Sequence, residues 1–225
     1  MINYLSEVAT LRNTEKDELE MTARREAMLR EGFRLFAEKG IEPVTMQEVA
    51  SACGVGIATL YRYYNTKLAL VIDIAVRQWE DYAVEVRRRQ AERGIDKLTA
   101  IERLDFYLQF YIDLYRSHSL MLCFNQNFNN YVRHEGATKE QMRPYLQAIG
   151  TFAGMFHSLY EQAKRDGTMR THLPEEKLFA ATSHIMLAVA VRYAQGLVYS
   201  ADVETDRTEE MLLLKRMILR EFTAA

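Results

Sequence analysis

The chain has 225 residues, a formal net charge of −2 and two cysteines. This length is enough for one or two domains with a sizeable core. Cys53 and Cys123 lie far apart, which favours reduced thiols and a cytoplasmic location. No signal peptide is apparent, and the longest apolar stretch, residues 185–191, is far short of the roughly 20 residues of a membrane span. The composition therefore argues against disulfide-rich secreted proteins and membrane proteins.

Charge is distributed unevenly along the chain. Residues 1–20 carry a net charge of −3, residues 21–68 carry +2 and residues 69–225 carry −1. The only positive block is therefore short and weakly basic. A weak positive charge predicts modest non-specific affinity for nucleic acid and leaves more of the binding to direct contacts.

The first twenty residues form an N-terminal extension. Tyr4, Leu5, Val8 and Leu11 have helical spacing, although the segment is strongly acidic. We interpret it as a frayed acidic tail. The alternative is an extra helix packed on the domain that follows.

Residues 21–68 have the pattern of three short helices. Apolar residues recur at helical spacing over residues 27–36, and Gly40 ends this first helix. Thr45 and Glu48 have the spacing of a capping box at the start of a second helix. Gly54 then provides the left-handed backbone conformation of a tight turn. Two short helices joined by a glycine turn predict a helix-turn-helix motif.

The helix after this turn has an inner and an outer face. Val55 and Leu60 are expected on the buried side, and Tyr64 is expected in the core. The residues expected to lie largely outside are Ile57, Ala58, Thr59, Arg62 and Tyr63. The second helix of a helix-turn-helix enters the DNA major groove, so these side chains are candidates for base contacts.

Residues 24–70 resemble the N-terminal domain of TetR-family transcriptional regulators. The matching pieces, in order and spacing, are residues 35–40, 45–50, 54–55, 59–61, 63–64, Lys67 and Leu70. The sequence departs from the family pattern at Gly56, where Ser or a similar cap is usual, and at Ala58, where Gly is frequent. Gly is an acceptable N-cap and Ala favours helix, so neither change argues against DNA binding.

The resemblance implies a DNA-binding role for several residues. Thr45 would contact a phosphate, Tyr61 and Lys67 would hold phosphates, and Gly56 would start the recognition helix. The side chains placed in or beside the major groove would be Ile57, Ala58, Thr59, Arg62 and Tyr63. Arg62 is the best candidate for a guanine contact, because its fork can pair with O6 and N7. The alternative is that Arg62 meets only the DNA backbone.

The remainder of the chain, residues 69–225, reads as helical throughout. The predicted helices cover residues 66–92, 96–117, 119–134, 138–166, 174–199 and 206–223. With the first three helices, they predict an all-α protein of about nine helices. Its N-terminal three-helix helix-turn-helix domain would be followed by a C-terminal helical bundle for ligand binding and dimerisation.

The last two predicted helices are unusually apolar. In the final one, Met211, Leu214, Ile218 and Phe222 form one stripe, and neighbouring apolar residues widen it. This width fits a dimer interface. The resemblance implies that these helices pair with their copies in a four-helix bundle. A two-fold dimer would then place two recognition helices about 34 Å apart, on a near-palindromic operator.

The resemblance also implies a cavity for a small-molecule effector in the bundle. The candidate lining residues are Phe106, Phe110, Asp113, Phe124, Phe128, Phe152, Phe156, His157 and His184. For each aromatic residue, the competing interpretation is a place in the core. Such a cavity would take a small, mainly apolar ligand.

Catalytic, cofactor and metal sites are not expected. Gly54-Val55-Gly56 lacks the preceding strand and third glycine of a dinucleotide site, and the five histidines show no metal-ligand spacing. We therefore predict a homodimeric, ligand-responsive repressor that binds double-stranded operator DNA. The alternatives are a helical dimerisation or scaffold protein with a vestigial DNA domain, and an activator of the same family.

Overall fold

A computed structural model describes the backbone of residues 2–196 and 206–224 and the side chains of residues 18–196 and 206–224. Within these ranges the chain is helical, and the one β-type pairing is an isolated bridge between Met169 and Thr223. The predicted all-α fold is confirmed. Among the described residues, no helix is both long enough and apolar enough to cross a membrane.

The first helix is longer than expected. Helix α1 runs without a break from Ile2–Lys39, so the interpretation of the extension as a frayed tail is wrong for residues 2–20. No glycine or proline occurs before Gly32, and helix propagation from the apolar stripe therefore meets no breaker. Residues 2–20 continue α1 and do not form a separate helix, and the side chains of residues 18–25 are exposed.

The helix-turn-helix consists of α2 (Met46–Ala52) and α3 (Ile57–Tyr63). Thr45 and Glu48 form the predicted capping box: the Glu48 N–H donates to the Thr45 hydroxyl at 3.2 Å, and the Thr45 N–H donates to the Glu48 carboxylate at 2.8 Å. Gly54 has a φ of +67°, as the turn requires. Val49, Ala50 and Leu60 are fully buried and hold the two helices against α1.

In the part of the chain that the structure describes, seven further helices follow: α4 (Lys67–Arg93), α5 (Ala100–Ser117), α6 (Ser119–His134), α7 (Lys139–Asp166), α8 (Glu175–Phe179), α9 (Ile185–Ala194) and α10 (Thr208–Phe222). The fifth predicted helix begins later than expected, because Ile95–Lys97 forms a separate 3₁₀ turn and Thr99 caps α5. The eighth is divided into α8 and α9 by a π-helical segment, Ala180–His184. It ends at Ala194, before Gly196 with a φ of +80°, and the predicted residues 197–199 lie outside the described residues.

The two halves of the chain share one continuous hydrophobic core. Helix α4 packs against both α1 and α7, and α6 packs against α1, α4, α5 and α9. Phe33 on α1 meets Phe124 on α6 edge to face, with their ring centroids 5.5 Å apart. Helices α4 and α6 thus contact α1, against which α2 of the helix-turn-helix packs.

Candidate DNA interface and effector cavity

Helix α3 presents a short polar face to solvent. Ala58, Tyr61 and Arg62 are all exposed, and their spacing of three and four residues places them on one side of the helix. Gly56 is the N-cap of α3 and is also exposed, with open space where a Cβ would lie. This face contains the small residues and the Arg–Tyr pair that a close approach to DNA requires.

Three of the residues expected on that face lie elsewhere. Ile57 and Tyr63 are half-buried against the core, and the Tyr63 hydroxyl donates to the Met21 carbonyl at 3.4 Å. Thr59 is half-buried and accepts a hydrogen bond from Arg62. The reason is helical periodicity: Leu60 is the centre of the buried face, and the residues three before and three after it flank that centre.

Arg62 differs from the other basic residues of 21–68, all of which lie in the described part of the chain. Five of the seven basic residues there form salt bridges: Arg24, Arg25, Arg30, Arg34 and Lys39. Lys67 is held by a backbone carbonyl. Arg62 contacts no carboxylate, and its only hydrogen bond is to the Thr59 hydroxyl at 3.4 Å. Its charge is therefore available to a phosphate or a base edge.

Lys67 is turned toward the junction between the DNA-binding and C-terminal regions. Its ammonium group donates to the Glu42 carbonyl at 3.0 Å and lies over the rings of Phe36 and Tyr131, 5.9 and 5.4 Å from their centroids. Burial lowers the pKa of this amine, against the opposing effect of nearby carboxylates such as Glu135. The predicted phosphate contact would require the amine to leave Glu42.

Thr45 and Tyr64 are both engaged within the protein. The Thr45 hydroxyl donates to the Glu48 carboxylate at 2.9 Å, so a phosphate would have to compete with the cap for this hydroxyl. Tyr64 is buried, as expected, and its hydroxyl donates to Asp73 at 2.6 Å. Arg25 also binds Asp73, at 2.7 Å, and the three residues tie α1 and the end of α3 to α4.

A cavity of about 410 Å³ lies in the C-terminal bundle between α4, α5, α6, α7 and the π segment. Leu146 and Gly150 on α7 are exposed at its edge, so the cavity opens to solvent along that helix. Aromatic side chains supply most of its walls: Trp79, Tyr82, Tyr107, Phe110, Tyr111, Tyr145, Phe152, Phe156 and Phe179. Its size and lining suit a small organic molecule.

Two polar sites interrupt this apolar lining. On one side, Asn125 is buried and its carbonyl oxygen accepts a hydrogen bond from the Tyr145 hydroxyl at 3.2 Å. Burial raises the pKa of Tyr145 to about 12, and a hydrogen bond with Trp79 opposes this shift. On the other side, burial raises the pKa of Tyr111, and a hydrogen bond with Ser183 opposes that shift. Ser183 belongs to the π segment, an irregularity frequent at functional sites.

Four of the nine residues predicted to line the cavity do so: Phe110, Phe152, Phe156 and His184. Three others are packed behind its walls. Phe106 lies edge-on behind Phe110, at 4.8 Å, and Phe128 lies behind Tyr145, at 4.6 Å. Phe124 faces α1 rather than the cavity, because it packs against Phe33.

The remaining two predicted residues are polar and lie outside the cavity. Asp113 forms a salt bridge with Arg89 and accepts a hydrogen bond from Gln109 at 3.1 Å. His157 is exposed, because its neighbour Phe156 occupies the inward-facing position on α7.

Helix α4 also contributes to the cavity, which was not expected from the sequence. Trp79 and Tyr82 lie on the buried face of α4 and line the cavity wall, with Trp79 edge-on to Phe152 at 5.5 Å. The signal was present, because Ala75, Trp79, Tyr82 and Val86 have helical spacing. The same spacing also fits ordinary core packing, which is why it did not single out these residues.

His157, Glu161 and Glu175 form a surface cluster that the sequence spacing did not reveal. Their potential ligand atoms lie within 4.8 Å of one another, and Glu175 comes from a different helix. The imidazole Nδ1 of His157 is 2.9 Å from the Glu175 carboxylate, and Lys164 binds Glu161 at 2.5 Å. Lys164 therefore compensates the charge of Glu161.

Comparison with known proteins agrees with these features. Residues 28–74 match the family described as "Bacterial regulatory proteins, tetR family". Residues 28–74 therefore form an N-terminal domain of the tetR type. The match spans the end of α1, the helix-turn-helix and the start of α4.

Curated relatives of this chain extend the similarity into the C-terminal bundle. It is 24% identical over 178 residues to an HTH-type transcriptional regulator of Staphylococcus aureus (strain bovine RF122 / ET3-1), covering 79% of this chain and 86% of that protein. It is 26% identical over 159 residues to the HTH-type transcriptional repressor KstR2 of Rhodococcus jostii (strain RHA1), covering 70% and 74%.

Solved structures show the same fold. The fatty acid degradation regulator FadR from Bacillus halodurans superposes with a TM-score of 0.68 at 15% identity, over 87% of this chain and 94% of that one. The family and these relatives are transcriptional regulators. None of these relatives is named as an enzyme, and residues 28–74 of this chain match the same family of regulatory proteins.

Proposed function

We propose that the protein is a cytoplasmic repressor that binds a palindromic operator as a homodimer and is released by a small, mainly apolar effector. Residues 21–68 would bind the DNA and residues 69–225 would bind the effector and the second subunit. No cofactor or metal is invoked.

The observation that carries this proposal is the outward face of α3. Arg62 there is free of carboxylates, and the small residues Gly56 and Ala58 leave room for close approach. We assign Arg62 to a guanine edge, Ala58 to an apolar contact with bases, and the Tyr61 hydroxyl to a phosphate. Ile57, Thr59 and Tyr63, being half-buried, would support this face from its rim, and the N-terminus of α2 at Thr45 would approach the DNA backbone.

The cavity supports effector control. Asn125 on its wall is adjacent in sequence to Phe124, which packs against Phe33 of α1. A ligand that shifts α6 would therefore change the position of the helix-turn-helix. The effector would release DNA only if it binds the low-affinity conformation more tightly than the DNA-bound one.

The face formed by α9 and α10 supports dimerisation. These helices pack together, and they leave large apolar side chains exposed: Ile185 at 45%, Leu213 at 52% and Met217 at 60%. Leu213 and Met217 are four residues apart and share one side of α10. Burial of this face against its two-fold copy would remove the exposed apolar surface.

Two alternatives differ in their consequences. A scaffold protein with a vestigial DNA domain would not need an unpaired Arg62 on an exposed helix. An activator would have the same DNA and effector sites as a repressor, and only the position of the operator relative to the promoter would separate the two.

The test is selection of bound duplexes from a random DNA pool by the purified protein at near-physiological salt. We expect enrichment of one palindromic motif. The matched control is Arg62→Ala, which removes the free charge from α3 and should weaken the enrichment at one base pair in each half-site of the motif.

A folded, dimeric and ligand-free protein that enriches no motif would refute the DNA-binding proposal and favour the scaffold. Transcription from a promoter carrying the selected motif then separates repression from activation. A repressor lowers transcription and an activator raises it.

A further inference from the structure

The residues that line the cavity also indicate the charge of its ligand. Among the described residues, no Asp, Glu, Lys or Arg side chain lines the cavity. Its polar groups are two carboxamides, one serine, one histidine and tyrosine hydroxyls. A ligand charge buried here would have no counter-ion, and burial of an unpaired charge is strongly unfavourable.

The nearest ionic network lies outside the cavity lining, and its side chains bind one another. Arg89, behind the cavity wall at Tyr82, forms salt bridges with both Asp113 and Glu85. His118 also binds Glu85 at 3.2 Å and packs edge-on against Tyr82 at 5.4 Å. This network stabilises the contact of α4 with α5 rather than facing a ligand.

Asn125 gives the cavity a directional hydrogen-bond donor. Its carbonyl oxygen is occupied by the Tyr145 hydroxyl, whereas no hydrogen bond from its amide nitrogen is found in the described part of the chain. The residue as a whole is only 6% exposed and lines the cavity, so the nitrogen can donate to a ligand there. A carboxamide nitrogen donates and does not accept, and it therefore selects an acceptor on the ligand.

We propose that the effector is an uncharged molecule with an apolar body between Trp79, Phe110 and Phe152 and a carbonyl-type oxygen that accepts a hydrogen bond from Asn125. This inference rests on the proposed effector function of the cavity and specifies its ligand class. An acid could instead direct its carboxylate to the exposed Arg133, which lies in a neighbouring surface cleft sharing Asn129 with the cavity. The two arrangements predict opposite preferences.

The test uses three probes with the same ten-carbon chain: methyl decanoate, decanoate and decyltrimethylammonium, each below its aggregation limit. Trp79 is the only tryptophan of the chain and lines the cavity, so its fluorescence reports occupancy of this site in the full-length protein. We expect saturable binding of the ester at least tenfold tighter than of either ion.

Two variants test which residue is responsible for the preference for the uncharged ester. Asn125→Asp keeps an oxygen for the Tyr145 hydroxyl but removes the donor, so ester binding should fall at least tenfold and binding of the cation should rise. Arg133→Gln should leave ester binding unchanged. Near-ultraviolet circular dichroism and thermal melting establish that both variants are folded.

Decanoate that binds as tightly as the ester and loses affinity in Arg133→Gln would overturn the proposal in favour of an acidic effector. Equal binding of the ester by the wild type and Asn125→Asp would overturn the role of Asn125, and no response to any probe would overturn the ligand class. The duplex selection described above is independent of these results. A protein that selects a motif but prefers an ion contradicts only this inference, whereas failure in both assays contradicts the regulator as well.

Discussion

Arg62 lies on an exposed helix face without a carboxylate partner, and its charge should dominate the electrostatics of DNA binding. We expect Arg62→Gln to reduce the slope of log affinity against log salt concentration by about 0.9 per half-site. The variant should also relax preference at one base pair in each half-site by about 1–3 kcal/mol. Binding isotherms at several salt concentrations on operators with single substitutions measure both effects. A reduced slope with unchanged preference would show that Arg62 meets only phosphate.

Lys67 provides the matched comparison, because its amine is already engaged within the protein. Lys67→Met keeps the aliphatic stem and removes the donor to Glu42 and the cation over Tyr131. We expect the salt slope to stay as in the wild type and the free energy of unfolding to fall by about 1 kcal/mol. The same isotherms and urea denaturation give the two quantities. A slope that falls as far as in Arg62→Gln would restore the phosphate role predicted from the resemblance.

Sequence patterns predicted some residue positions much better than others. The capping box at Thr45 and the turn at Gly54 follow from local chemistry, and both are found. Ile57 and Tyr63 of α3 were expected on its outer face. They lie at the rim of its buried face, three residues before and three residues after Leu60. The direction in which each side chain of so short a helix points depends on the rotation of the helix about its axis. One buried residue, Leu60, is not enough to determine that rotation from the sequence.

At the scale of helices, the close contact of α1 with α4 depends on a glycine. A Cβ on Gly32 would lie 2.8 Å from Cδ1 of Ile74, a residue with no exposed surface. The absence of a side chain at Gly32 thus allows α1 to lie against α4, the helix that continues into the C-terminal bundle. This explains a glycine in the middle of a helix, where it otherwise costs about 1 kcal/mol relative to alanine.

We expect Gly32→Ala to destabilise the protein by about 1 kcal/mol, since overpacking costs more than the helix propensity gained. Ile74→Val removes the clashing carbon, so the double variant should be more stable than the sum of the single changes by at least about 0.5 kcal/mol. Urea denaturation of the four proteins forms the double-mutant cycle. Strictly additive effects would mean that α1 and α4 adjust without strain.

Helix boundaries and cavity residues differ in how far sequence determines them. The ends of α4, α6 and α7 agree with the expected ones to within a residue or so, because Gly94, Gly136 and Gly167 mark them with left-handed backbone. The π segment has no such marker. It places Ser183 and His184 on the cavity wall. Such a segment depends on packing between helices, which the sequence of a single helix does not reveal.

At the scale of the whole molecule, the proposed dimer depends most on the exposed face of α10. In a two-fold interface every change occurs twice, so Met217→Lys would bury two unpaired ammonium groups at a cost of several kcal/mol. We expect the variant to be a monomer at micromolar concentration by analytical ultracentrifugation. Its operator affinity should be at least about 100-fold weaker, because each 1.4 kcal/mol of lost free energy lowers an affinity about tenfold. The matched control is Val84→Lys, which places the same charge on α4 at a site 59% exposed, where it should change neither property. If Met217→Lys remained dimeric and bound operator normally, the subunits would have to meet through another face, and the spacing of the recognition helices would follow from that face instead.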